Sequence, residues 1–117
     1  MIVTIEMPIK TRSENNMREN WRQRASRRKR QRANARMFTI QKIRPDQAQG
    51  DIVITLTRIA PRKLDSDNLA GAMKAIRDGI ADAIERDDGE ENIDWQYAQR
   101  NGEPKQYGVV CEIRRAE

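Results

Sequence analysis

The stretch "RKLDSDNLAGAMKAIRDG", residues 62–79, sets Asp65 and Asp67 directly behind Arg62 and Lys63, at the head of an apolar pattern that reads as a helix. A second acidic pair, Asp87 and Asp88, follows that pattern. Carboxylates crowded at one point raise each other's pKa unless a cation sits among them. Hard oxygen ligands suit Mg²⁺, which often needs only one or two carboxylates plus phosphate oxygens. An ion held in this way polarises a phosphodiester and lowers the pKa of its bound water. The chemistry in prospect is phosphodiester hydrolysis, with Arg62 and Lys63 gripping the anionic substrate.

Each pair also has a plain structural reading. Acidic residues at a helix start cap free N–H groups and offset the macrodipole. "DDGEE" reads equally as a solvated acidic turn. A helix from residue 67 to about 84 spans roughly 25 Å. The two pairs therefore meet only if the helix breaks, with Gly71 or Gly79 as the weak points, or if the loop after it folds back.

Composition narrows the chemistry. The chain of 117 residues carries a net charge of +5, which favours an anionic partner, nucleic acid first. It has no histidine and a single cysteine, Cys111. That excludes His-based acid–base catalysis, Ser–His–Asp triads, an internal disulfide and a cysteine zinc site. A bound metal must be held by oxygen, which suits Mg²⁺, Mn²⁺ or Ca²⁺. Residues 18–36 hold nine Arg or Lys and one Glu. Arg22, Arg24, Arg27, Arg28, Lys29, Arg30 and Arg32 are candidate contacts to a phosphate backbone; a solvated helix face is the bland alternative. No run approaches membrane-spanning length, and "MIVTIEMPIK" lacks the apolar core of a signal peptide. The expectation is a soluble cytoplasmic protein without a membrane partner.

The elements that position these residues follow from periodicity. Residues 2–7 alternate as a strand ended by Pro8. A long helix is expected from about Glu14 or Asn16 to about Ile43, with Met17, Trp21, Ala25, Ala33, Met37 and Ile40 as a narrow apolar stripe. Residues 46–50 make a polar turn, and 51–60 a largely buried strand. A second helix starts near Ser66 or Asp67, and Leu69, Met73, Ile76, Ile80 and Ile84 form its core stripe. Residues 92–99 and 106–114 read as a hairpin. Trp21 and Trp95 read as packing residues, and Cys111 as a buried strand residue. The order β–α–β–α–β–β in one domain over 1–117 predicts a mixed α/β or α+β fold, a small mixed sheet packed with two helices. With 37% apolar residues and five aromatics the core is thin, which favours a homodimer.

"RKLDSDNL", a helix, then "DDGEENIDW" together resemble the RusA family of Holliday junction resolvases. That family shows Asp-x-Asp-Asn-Leu entering a helix and an Asp-Asp pair about twenty residues later. The likeness covers roughly residues 51–115, and more loosely the first strand and "NNMRENWRQRASRRKRQR". The resemblance implies a small homodimeric endodeoxyribonuclease of DNA recombination and repair. It would use Mg²⁺ or Mn²⁺ to place paired nicks across a four-way junction or other branched DNA. By position, Asp65, Asp67 and Asp88 become the metal-binding catalytic carboxylates, Asp87 an adjacent support, and Asn68 a residue that positions the loop or the DNA. The family's lysine, four residues after the second Asp, falls on Gly71. Lys74, one turn later on the same face, either replaces that cation or pairs with Asp78 at i, i+4. The alternative is a non-catalytic DNA-binding protein that retains the fold.

Overall fold

A computed structural model describes residues 2–13 and 19–116. The chain forms β1 (Ile2–Met7), α1 (Trp21–Ile40), a short 3₁₀ turn (Pro45–Ala48), β2 (Ile52–Ala60), α2 (Ser66–Ile84), β3 (Ile93–Asn101) and β4 (Gly108–Arg115). The expected start of α1, with Met17, lies outside the described residues; its end falls at Ile40 rather than Ile43.

The four strands make one mixed sheet in the order β1–β4–β2–β3. The strand β2 is central and pairs parallel with β3 and antiparallel with β4. Parallel neighbours need a long crossover, and α2 supplies it. The expected β3–β4 hairpin does not form, because β2 lies between the two strands. The short connection 102–107 instead carries the chain over the end of β2, where the Gly102 amide donates to the Ala60 carbonyl at 2.8 Å.

The alternation of β2 puts Ile52, Ile54 and Leu56 on one face, beside Ile5 and Met7 of β1 and Val109, Cys111 and Ile113 of β4. Leu69, Met73, Ile76, Ile80 and Ile84 of α2 cover that face, so the predicted stripe is the core stripe. The opposite face of the sheet carries exposed Thr4, Glu6, Asp94, Gln96, Glu112 and Arg114.

The stripe expected on α1 is not the buried one. Trp21 is 73% exposed, and Met37 and Ile40 are exposed too. Gln31, Ala35 and Thr39 face inward instead. The cause is close packing on α2: a side chain at Gly79 would collide with the main chain of Arg32 and with Ala35. A helix this near its neighbour needs small or hydrogen-bonded residues at the seam, not large apolar ones. The Thr39 hydroxyl donates back to the Ala35 carbonyl at 2.7 Å. The start of α1 is fixed by a capping box, in which the Asn20 and Gln23 side chains each accept from the other's backbone amide.

Candidate functional site

The start of α2 is set by the Asp65 side chain. Its Oδ1 accepts from the Asn68 amide at 2.8 Å and its Oδ2 from the Asn68 side chain at 3.1 Å. Asn68 therefore orders the loop that carries the acidic pair. Asp67 sits in the first turn, exposed, as do Arg62 and Lys63 just before the helix. The loop is anchored from behind: Gln99 of β3 bonds both the amide and the carbonyl of Leu64, and buried Arg58 donates to the Arg62 carbonyl at 2.7 Å.

At the far end α2 runs unbroken through Gly71 and Gly79 and stops at Glu85, whose backbone turns left-handed (φ 58°). That turn reverses the chain. Arg86 pins the reversal by donating to the Ala48 and Gly50 carbonyls at 2.9 and 2.7 Å. The loop with Asp87 and Asp88 thus folds back along α2, and Asp88 arrives in mid-helix. Its Oδ2 lies 2.7 Å from the Lys74 ammonium and 3.2 Å from the Arg77 guanidinium. Asp87 serves the turn itself, its Oδ1 accepting from the Gly89 amide at 3.0 Å.

Lys74 is seven residues past Asp67, about 10 Å along the helix axis. Asp88 joins Lys74, whose place on the helix is about two turns past Asp67. Among the described residues no group of three or more carboxylates or thiols is close enough to hold one ion. The donor chemistry of Asp65 and Asp67 suits a hard cation, for which two carboxylates and phosphate oxygens suffice.

Lys74 makes the expected i, i+4 pair with Asp78 at 2.8 Å and a second bond to Asp88 at 2.7 Å. These bonds, to Asp78 first, push the Lys74 pKa up, and the bond from Lys74 holds the Asp88 carboxyl below the usual range. Both shifts favour the charged pair at neutral pH.

Lys74 and Gly71 line a groove of about 570 Å³ between the helices, with Arg28, Lys29 and Arg32 on the α1 wall and Asp78 beside them. A hollow of about 240 Å³ continues past Asp82, Asp87 and Asp88. The groove therefore runs from a basic half to an acidic half. Arg32 closes on Asp82 at 2.6 and 2.9 Å, which holds the Asp82 carboxyl below its ordinary value. The remaining basic residues lie elsewhere on α1: Arg22, Arg27 and Arg30 face the loop after β1, and Arg24 and Arg27 pair with Glu19 at 3.7 and 2.6 Å.

Arg77 was not foreseen. Its guanidinium stacks on Trp95 at 4.7 Å and donates to the Asp88 carbonyl at 2.8 Å and the Tyr97 hydroxyl at 3.0 Å. The Trp95 indole N–H donates to the same Asp88 carbonyl at 3.1 Å. The one signal in the sequence was an arginine flanking the apolar stripe with Trp95 and Tyr97 alternating in a later strand. Trp95 packs as expected; Trp21 does not. Compared with known proteins, the chain matches no family model and no curated protein.

Proposed function

We propose that this protein is a Mg²⁺- or Mn²⁺-dependent endodeoxyribonuclease of the RusA type, acting on branched DNA as a homodimer. The observation that carries the reading is the return of the Asp87–Asp88 loop to α2. It puts Asp88 on Lys74 in a groove whose other wall is Arg28, Lys29 and Arg32. The groove and the hollow beyond it bring basic residues of α1 and the acidic residues of the returning loop together around Lys74, on the helix that Asp65 and Asp67 open.

In this reading Asp65 and Asp67 hold the divalent ion, which when bound polarises the phosphodiester and lowers the pKa of its water. Arg62 and Lys63 grip the backbone on the approach to α2. Asn68 fixes the Asp65 carboxylate so that the acidic pair meets the substrate in one orientation. Lys74 supplies the cation that the family carries at the position of Gly71. Asp88 holds that ammonium in place until a phosphate competes for it. A two-fold dimer would present two such channels to a two-fold junction.

A second reading has its own support. The Asp88 carboxylate is neutralised by Lys74 and Arg77, and Gly71 offers no cation. This suits a DNA-binding protein that holds branched DNA without cutting it. An end-labelled four-way junction and a matched linear duplex, each with Mg²⁺, Mn²⁺ or EDTA, separate the two. Paired junction cuts that vanish with EDTA and with Asp67→Asn support the nuclease. Tight junction binding without cuts in either metal overturns it in favour of the second reading.

A further inference from the structure

Near its end β2 carries an arginine where its own alternation asks for an aliphatic residue. Ile52, Ile54 and Leu56 face the core, and Arg58 is the next position on that face. It is 6% exposed. Its partners are neutral: Nε donates to the Thr11 hydroxyl at 2.9 Å, Nη1 to the Arg62 carbonyl at 2.7 Å, and Nη2 makes a long contact to the Thr11 carbonyl at 3.5 Å. Burial pushes the guanidinium pKa down from its ordinary value. A buried charge is costly unless an opposite charge offsets it. For stability alone, an apolar side chain would serve better here.

We propose that Arg58 is a positioning residue, which ties the loop after β1 to the loop of Asp65 and Asp67 and so fixes the acidic pair for its cation. Its contacts all lie on those two loops. Thr11 is in the chain leaving β1 and is itself buried, so that end of the bridge is fixed. Arg62 stands three residues before Asp65. Gln99 of β3 takes the amide and the carbonyl of Leu64. The main chain at 62 and 64 is thus held from two strands, while Asp65 caps α2 through the Asn68 amide. Because these bonds go to main-chain atoms, they set the course of the loop and leave Arg62, Lys63, Asp65 and Asp67 exposed.

Charge alone does not account for Arg58. A fixed positive charge near the loop repels a metal ion and so works against the site. With a cost in desolvation and a cost in repulsion, the arginine serves through its geometry: a planar fork that bonds two loops at once. The metal half of this inference rests on the nuclease reading; the ordering of the loop stands without it.

The test uses Arg58→Met, an unbranched apolar side chain without charge or donors, and Thr11→Val, which removes one acceptor and leaves the arginine. Three quantities are read: the urea midpoint, hydrogen exchange of the Leu64 and Asn68 amides, and Mn²⁺ binding by EPR without DNA. Arg58→Met is expected to unfold at a urea midpoint no lower than the parent's. Its Leu64 and Asn68 amides should exchange at least about tenfold faster, while the Cys111 amide in β4 does not. Mn²⁺ should bind about tenfold more weakly, whereas loss of a nearby positive charge by itself would tighten it. Thr11→Val should move exchange and metal binding in the same direction by a smaller factor, and it carries the test if Arg58→Met does not fold. Unchanged loop exchange with a lower urea midpoint would make Arg58 an ordinary structural residue, and tighter Mn²⁺ binding would reduce it to a charge; either result overturns the positioning role. Mn²⁺ binding in the parent equal to that of Asp67→Asn would overturn the nuclease reading and the metal half with it, and the exchange rates would then decide the ordering of the loop.

Discussion

Gly79 of α2 lies against the main chain of Arg32 of α1, so closely that no side chain fits between them. This contact decides the sign of a simple substitution. Glycine in a helix interior costs about 1 kcal/mol relative to alanine, so Gly→Ala ordinarily stabilises. At Gly79 the added methyl meets backbone that cannot step aside, and overpacking costs typically about 1–3 kcal/mol. Gly79→Ala is therefore expected to destabilise. Gly71 on the same helix has open space where its Cβ would sit. Gly71→Ala should stabilise by about 0.5–1 kcal/mol. Urea unfolding of the two variants checks the pair, and a stabilising Gly79→Ala would show that the helices are further apart.

Next to that contact, Arg32 joins Asp82 across the helix seam. The Asp82 carboxyl is held below its usual value of 3.8, chiefly by the bond from Arg32. A depressed carboxyl stabilises above its unfolded pKa, and that stability is lost as pH falls through the folded value. Arg32 stays charged throughout this range. Asp82 is about one-third exposed, so solvent screening keeps the pair under about 1 kcal/mol. Asp82→Asn should be less stable than the parent by a constant amount from pH 7 to 5. The difference should close below about pH 4. Thermal melts across this range provide the check; a gap that persists at pH 2.5 would assign the effect to something other than charge.

Burial of Cys111 in β4, under α2, pushes its thiol pKa up to about 12. Only the thiolate attacks disulfides and alkylating agents. At pH 8 the native thiol should therefore be inert, and its labelling rate by a disulfide reagent should follow global unfolding. The rate should rise with urea along the same curve as the loss of helix signal. Fast labelling without urea would mean that β4 opens locally.

The strands and α2 were legible in the sequence because large aliphatic residues recur with period two in Ile52–Leu56 and near 3.6 in Leu69–Ile84. The helix α1 was legible as a helix but not in its orientation. Its buried residues are Gln31, Ala35 and Thr39: Ala35 is small enough to lie against Gly79, Gln31 bonds the Lys10 carbonyl and Thr39 the Ala35 carbonyl, and none is a large apolar residue. The strands β3 and β4 were placed correctly and paired wrongly, since nearness in sequence cannot show that β2 stands between them. The fold-back of Asp87 and Asp88 was legible as one of two geometric options. Its destination was not, because it depends on the left-handed turn at Glu85 and on Arg77, an arginine that looks like ordinary helix surface.

Arg77 is what holds that destination. It gives one hydrogen bond to the Asp88 carbonyl, one to the Tyr97 hydroxyl, an ion pair to the Asp88 carboxylate and a stack on Trp95. Lysine keeps the charge but loses the planar fork and the stack. Each lost hydrogen bond costs about 1 kcal/mol and the stack about 0.5–1 kcal/mol. Arg77→Lys should therefore destabilise by about 2.5–3 kcal/mol. In a Trp21→Phe background Trp95 is the sole indole, and its emission should shift in the native state as the cation and the Asp88 carbonyl leave it. Lys74→Gln, which removes only the exposed side of the Asp88 contact, should leave Trp95 emission unchanged and cost less than about 1 kcal/mol. Equal spectral shifts in both variants would move the anchor of the loop from Arg77 to Lys74. An Arg77→Lys protein as stable as its parent, with the same emission, would mean that Arg86 at the base of the loop is sufficient to hold it.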